Sequence, residues 1–183
     1  PSDLLRRRWH LHLPHIQLPN LSIYYESTGQ GEPILWIAGL GMDHAAWNLQ
    51  VSAFSQKYRC INFDNRDAGQ SQEVSGPYAI RDMADDASNL LQALGIKTAH
   101  IVGLSMGGAI AQELARNHPE RVKTLTLVCT YTSGDPRGSQ LMSSWRFIRA
   151  QFSREDYYRA IMPWVFSYQD YLIPDLVENY IKM

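Results

Sequence analysis

A short glycine-framed segment, Gly103 to Gly108, carries the residue of this chain best suited to chemistry. It follows an apolar strand-like run at 98–102 and precedes a run of small residues with helical character. Gly103 and Gly107 allow a serine to be exposed on a sharp strand-to-helix turn, because both positions lack side-chain bulk. The pattern predicts that Ser105 is a nucleophile. The alternative is a glycine turn that only lets the helix pack closely on the strand.

No histidine at the chain positions expected after such a serine turn is suited to activate Ser105. A serine hydroxyl needs a histidine to accept its proton and a carboxylate to orient that histidine. Around a strand-turn-helix serine, both partners follow the serine in the chain. His118 follows, but a helix at about 1.5 Å per residue places it roughly 20 Å away. His100 precedes Ser105 on the same strand, about 16 Å away at 3.3 Å per residue.

The remaining histidines are weaker candidates for the base. His10, His12 and His15 belong to an amino-terminal arm and hairpin, where a surface role is expected. His44, beside Asp43, is the histidine expected near the catalytic edge. We retain His44 as an accessory candidate and favour a role in holding its loop over direct catalysis.

Strand-like and helix-like segments alternate along the first part of the chain. Strands are predicted at 11–18, 21–27, 33–38, 58–63, 98–102 and 122–129, and helices near 45–56, 80–94 and 108–117. After a first hairpin, this alternation predicts a mostly parallel sheet with helices on both faces. Ligands of such sheets bind at the carboxyl ends of the strands, where Ser105 is placed.

The amino-acid composition changes beyond Thr130, where helical runs rich in Trp, Tyr, Phe and Met begin. We therefore predict a core over residues 1–134 and a partial helical cap over 135–183. Aromatic helices that follow a sheet suit a cap over an apolar pocket. The alternative is a helical element that simply covers the sheet.

Composition describes a globular chain with a sizeable core. Its 183 residues are 45% hydrophobic and 19% charged. With 17 basic and 18 acidic residues, no net field favours nucleic acid or an anionic membrane surface, and a small neutral substrate suits the balance. No run approaches the roughly 18 apolar residues that span a bilayer, and no signal-peptide pattern is found. The expected location is cytoplasmic.

Neither a cofactor nor a disulfide is expected from this sequence. It contains no metal-ligand cluster and no dinucleotide fingerprint, so we predict no metal and no cofactor. Cys60 and Cys129 both lie in apolar strand-like runs. This placement predicts two inert buried thiols.

Four segments resemble, in order, those of α/β-hydrolases of the small esterase, lactonase and perhydrolase type. They are an oxyanion-type loop at 38–42, a loop after the next strand at 63–71, the elbow at 103–108 and a turn at 117–122. The resemblance covers about residues 20 to 130. It implies the α/β-hydrolase fold, truncated before the last strands of the sheet. Ala38 replaces the histidine often found before the glycine of the oxyanion loop, which is tolerable because the donor is a backbone N–H.

The resemblance also implies roles for individual residues. The backbone N–H groups of Leu40 and Met106 would form the oxyanion hole for the attack by Ser105. Asp64 and Arg66, together with Asp67, would lock their loop by charge-assisted hydrogen bonds. The family's triad acid and histidine come from strands after the cap, and nothing in this sequence matches them.

Three functions therefore remain open. The first is a serine hydrolase of carboxylic esters or lactones that forms an acyl-Ser105 intermediate. The second is a non-catalytic relative that binds an apolar ligand or a protein partner. The third is a chain that a partner completes in trans. An unpaired edge after the strand at 122–129 predicts self-association or a completing chain at that edge.

Overall fold

The chain divides into two units, Pro1–Thr132 and Ser133–Met183. In the described part of the first unit, six strands form one sheet. The computed structural model describes residues 15–132 and 136–182. The strands are β1 (His15–Gln17), β2 (Ser22–Thr28), β3 (Glu32–Ile37), β4 (Tyr58–Phe63), β5 (Ala99–Leu104) and β6 (Val122–Val128). Their order is β1-β2-β4-β3-β5-β6. The first two are antiparallel to their neighbours and the rest are parallel, so the predicted mostly parallel sheet is confirmed.

Three α-helices connect the strands of the first unit. They are α1 (Asn48–Phe54), α2 (Ile80–Ala93) and α3 (Met106–Asn117), with 3-10 turns at His44–Trp47 and Pro119–Arg121. The predicted helix at 45–56 begins with a 3-10 turn, and the Asp43 carboxylate caps its start by accepting a hydrogen bond from the Ala45 N–H over 2.9 Å.

Apolar residues alternate between the two faces of the sheet and build a core on each. On β3, Leu35 and Ile37 join a large cluster with residues of α2 and α3. Ile34 and Trp36 point the other way, into a smaller cluster with Val51 of α1. This two-residue period buries both faces, so helices cover both sides as predicted.

The strand β6 is the edge of the sheet among the described residues and is largely exposed. Leu125 and Leu127 retain 38% and 42% of their accessible surface, although both are apolar. Cys129, just past the end of β6, is also exposed, so the prediction that its thiol is buried was wrong. The prediction failed because the apolar run was read as a strand covered on both faces. Cys60, on the central strand β4, is buried as predicted.

The second unit consists of helices in its described part. These are α4 (Pro136–Gln151), α5 (Arg154–Val165), α6 (Tyr168–Tyr171) and α7 (Leu176–Lys182). Ile161, Met162 and Ile181 form its small core, and Arg159 bonds Glu178 to join α5 to α7. A role as a cap stays a prediction.

Three predictions lie wholly or partly outside the described residues, one of them being the strand predicted at 11–18, of which residues 11–14 are not described. The predicted boundary after residue 134 falls within 133–135, and His10 and His12 fall within 1–14. Among the helices that are described, none combines the length and the apolar character needed to cross a membrane.

Candidate active site

Ser105 occupies a sharp elbow between β5 and α3. Its φ of 53° and ψ of −117° are unusual for a residue with a side chain and store strain of about 1–3 kcal/mol. Hydrogen bonds hold this conformation. The Ser105 N–H donates to the Val128 carbonyl over 2.9 Å, and the Ser105 carbonyl accepts from the Gly108 N–H and the Thr130 hydroxyl, at 2.9 and 2.7 Å. Val128 at the end of β6 and Thr130 just beyond it therefore hold the elbow from one side.

The two elbow glycines lie where no side chain fits. A Cβ atom on Gly103 would lie 2.3 Å from the Gly107 carbonyl oxygen. A Cβ atom on Gly107 would lie 2.2 Å from the carbonyl oxygen of Ile37. These distances are far below van der Waals contact, so α3 packs against β5 and the end of β3 through bare backbone.

The loop after β3 lies directly against Ser105. A Cβ atom on Gly39 would be 3.4 Å from the Ser105 Cβ atom. The Met42 N–H donates to the Gly39 carbonyl over 3.3 Å and closes a turn that contains Leu40. Neither the Leu40 nor the Met106 N–H has an acceptor within the described part of the chain. The Met106 N–H also opens α3, where the helix dipole favours negative charge. Both groups can therefore donate to an oxyanion.

Asp64 anchors this loop to the end of β4. Its carboxylate is fully buried and accepts hydrogen bonds from the His44 N–H at 2.6 Å, the His44 Nδ1 at 2.7 Å and the Gln70 N–H at 2.7 Å. Gly69 is required beside it, because a Cβ atom there would lie 2.2 Å from the Asp64 Oδ2 atom. His44 uses its backbone and its ring on Asp64, and these bonds hold the loop.

Arg66, in the loop after β4, ties that second loop to α2. Its guanidinium donates to both oxygens of Asp86, at 2.7 and 2.8 Å, and its charge lies 5.1 Å from the ring centre of Tyr78. Burial raises the pKa of Asp86, and the Arg66 charge opposes that rise. Partial burial and the neighbouring Asp67 raise the pKa of Tyr78 to about 12. Sequence reasoning did not find Asp86 or Tyr78, because their spacing from Arg66 gives no motif.

None of the described histidines is bonded to Ser105. Each of the four already has other partners: His15 with the Gln70 carbonyl, His44 with Asp64, His100 with Glu32 and Thr124, and His118 with Asp85. The Ser105 hydroxyl has no hydrogen-bond partner among the residues that the structure describes. A base for Ser105 is therefore not found at 15–132 or 136–182.

Asp43, His44 and Asp64 bring three potential ligand atoms within 4.8 Å of one another. Hydrogen bonds already use these groups, since Asp43 caps the turn at Ala45 and Asp64 binds His44 and Gln70. Their closeness is explained by the anchoring of the loop.

A sequence profile of the alpha/beta hydrolase fold family matches residues 32–169, which include the Gly39 loop, the Asp64 loop and the Ser105 elbow. The chain belongs to this family.

Relatives within the family are named for several hydrolytic reactions. RutD of Azorhizobium caulinodans, provisionally named a carbamate hydrolase, is 37% identical over 123 residues, which are 67% of this chain and 46% of RutD. A thermophilic esterase from Thermogutta terrifontis superposes with a TM-score of 0.82 at 25% identity, over 92% of this chain and 65% of the esterase. The enol-lactonase from Burkholderia xenovorans gives 0.82 at 26% identity, over 92% and 66% of the two chains. This chain spans about half to two thirds of the length of these relatives.

Proposed function

We propose that the natural protein containing this chain is a serine hydrolase of small neutral esters or lactones, with Ser105 as its nucleophile. The observation that carries the proposal is the left-handed backbone of Ser105, fixed by neighbours on β6 and placed against the Gly39 loop. A strained serine between a strand and a helix exposes its hydroxyl for attack.

The reaction proceeds in two steps. The Ser105 Oγ atom attacks the substrate's carbonyl carbon as its proton passes to a histidine outside the described residues, and the carbonyl oxygen becomes negative. The Leu40 and Met106 N–H groups stabilise that oxygen, and losing one such donor costs about 3 kcal/mol of transition-state stabilisation. The C–O bond to the leaving alcohol breaks, the alcohol takes the proton, and acyl-Ser105 remains. Water then hydrolyses this ester and regenerates the serine.

The substrate class rests on chemistry that the relatives share. Ester, lactone and carbamate bonds all present a carbonyl carbon next to a leaving group, so one nucleophile and one oxyanion hole serve all three. The names of the esterase, the enol-lactonase and RutD each describe one of these reactions. The nearly neutral charge of this chain favours an uncharged substrate.

A second candidate function follows from the exposed strand β6. Its apolar residues Leu125 and Leu127, and its place at the edge of the sheet among the described residues, suit pairing with another strand, from a second copy or from a completing chain.

The deciding experiment begins with the coding sequence through and beyond the codon for Met183. A frame that continues into strand-like runs with a late aspartate and a later histidine supplies the triad. A stop codon favours the second candidate.

The protein from that frame is then mixed with p-nitrophenyl acetate, and the release of nitrophenol is followed. We expect a burst that Ser105→Ala abolishes and that the exposed-serine control Ser52→Ala retains. Hydrolysis at an unchanged rate in Ser105→Ala would contradict the proposal.

A further inference from the structure

The side chain of Asn65, the residue after the loop anchor Asp64, is buried and makes a single hydrogen bond among the described residues. Its Nδ2 atom donates to the Ala38 carbonyl oxygen over 3.2 Å. Only 3% of Asn65 is exposed, and its Oδ1 atom has no partner in the described part of the chain. A buried amide with an idle oxygen is costly. The contact with Ala38 is therefore the one stabilising hydrogen bond that this side chain makes there.

The Ala38 carbonyl lies between Asn65 and the nucleophile elbow. A Cβ atom on Gly107 would lie only 2.6 Å from the Ala38 oxygen, so the first turn of α3 packs directly against it. The oxygen is therefore restrained by helix backbone on one side and by the Asn65 amide on another.

Orienting this carbonyl also orients the loop that follows. The peptide between Ala38 and Gly39 is planar, so its plane is set when the oxygen is set. Only the two backbone dihedrals of Gly39 separate that plane from the peptide that carries the Leu40 N–H. Because glycine is conformationally permissive, those dihedrals need external restraint. The Met42 N–H supplies part of it by bonding the Gly39 carbonyl.

We propose that Asn65 is a positioning residue for the oxyanion hole. Its hydrogen bond sets the Ala38–Gly39 peptide plane, from which the Leu40 N–H is aimed at the oxygen that becomes negative during attack. This inference rests on the proposed function and extends it to a residue that does not touch the substrate.

Asn62, on β4 just before the loop that contains Asn65, provides a matched control. It is also a buried asparagine whose Nδ2 atom donates to a loop carbonyl over 3.2 Å, and its Oδ1 atom likewise lacks a partner among the described residues. Its acceptor is the His44 carbonyl, which lies beyond the Gly39–Met42 turn. Asn62→Asp therefore makes the same chemical change without disturbing Ala38.

The test compares Asn65→Asp with Asn62→Asp in the natural protein, with kcat and KM for p-nitrophenyl acetate measured from pH 5 to 8. The carboxylate that replaces the Asn65 amide cannot donate to Ala38 at neutral pH. We expect kcat to fall about 10- to 100-fold, with KM changed less than about threefold.

Burial raises the pKa of such a carboxyl, and its protonated form can donate. The ratio of variant to wild-type kcat should therefore rise as the pH falls. We expect Asn62→Asp to keep kcat within about threefold.

A second variant guards against a loss of folding, which thermal melting of each protein reveals. Asn65→Ala should lower kcat about tenfold with a ratio to wild type that does not change with pH, because it introduces no titrating group. Equal losses of kcat in the Asn65 and Asn62 variants, or an unchanged kcat in Asn65→Ala, would overturn the positioning role alone. Full activity in Ser105→Ala, measured alongside, would overturn the proposed function and this inference together.

Discussion

The two ends of the parallel strands each carry a histidine–carboxylate pair, and the pairs differ in burial. At the carboxyl end, His44 bonds the fully buried Asp64 over 2.7 Å. At the amino end, His100 bonds Glu32 over 3.1 Å, and the Glu32 side chain is 57% exposed. A buried carboxylate that loses its donors cannot turn to water, whereas an exposed one can. A histidine–carboxylate pair therefore fixes a loop at the carboxyl end of the strands, whereas the pair at the amino end is an exposed surface contact.

The largest loss of stability in this comparison is expected from Gly107→Ala at the carboxyl end. The new Cβ atom would overlap the Ile37 and Ala38 carbonyl oxygens, which belong to backbone and cannot move aside. We expect the free energy of unfolding of the natural protein to fall by about 3 kcal/mol or more in urea titrations.

Gly76→Ala is the comparison for a glycine with open space around it, since Gly107 lies in α3 without a positive φ and its substitution is opposed by packing alone. A Cβ atom on Gly76 meets nothing within 4 Å, so only its φ of 88° opposes alanine, at a cost of about 1 kcal/mol. If the Gly107→Ala protein were no less stable than Gly76→Ala, the backbone where α3 packs on the end of β3 would be able to shift and accept the new Cβ atom at little cost.

The next largest effect is expected from Asp64→Asn, which keeps the shape of the side chain and removes its charge. One of the three donors that now bind Asp64 would face an amide NH₂ group. We expect a loss of about 2–3 kcal/mol of stability, measured by urea unfolding. A loss below about 0.5 kcal/mol would remove the contrast between the two ends.

A smaller effect is expected from Thr130→Val, which removes the hydroxyl that donates to the Ser105 carbonyl. The two side chains have nearly the same shape, so the variant isolates this hydrogen bond. We expect a loss of about 1–2 kcal/mol of stability. Thr130→Ser keeps the donor, and a loss as large in that variant would assign the effect to packing against Gly108.

Thr130 also marks the limit of what the sequence can predict. The elements and the elbow were predictable because glycine spacing and apolar periodicity are local signals, and β4 was predicted with its observed bounds, Tyr58–Phe63. The partners of the loops were not, since Thr130, Asn65 and Asp86 reach their targets only after the sheet has assembled. The exposure of Cys129 was missed for the same reason, because burial depends on which strands lie beside an edge.

The smallest effect is expected from Glu32→Gln at the amino end. Hydrogen bonds from Lys123 and then His100, with the Lys123 charge, hold the pKa of Glu32 below its usual range. Because its pKa is lower in the folded state, the Glu32 carboxylate stabilises the fold at pH values above its unfolded pKa of about 4.3. That contribution is lost as the pH falls through the folded pKa.

Melting temperatures of wild type and Glu32→Gln should therefore differ slightly at pH 7 and converge below about pH 4. Because Glu32 is exposed to solvent, about 1 M salt should also remove the difference at pH 7. A difference that survives in salt would mean that the amino-end pair is coupled to the sheet as firmly as His44 is to Asp64. Burial would then no longer explain the difference between the two histidine–carboxylate pairs.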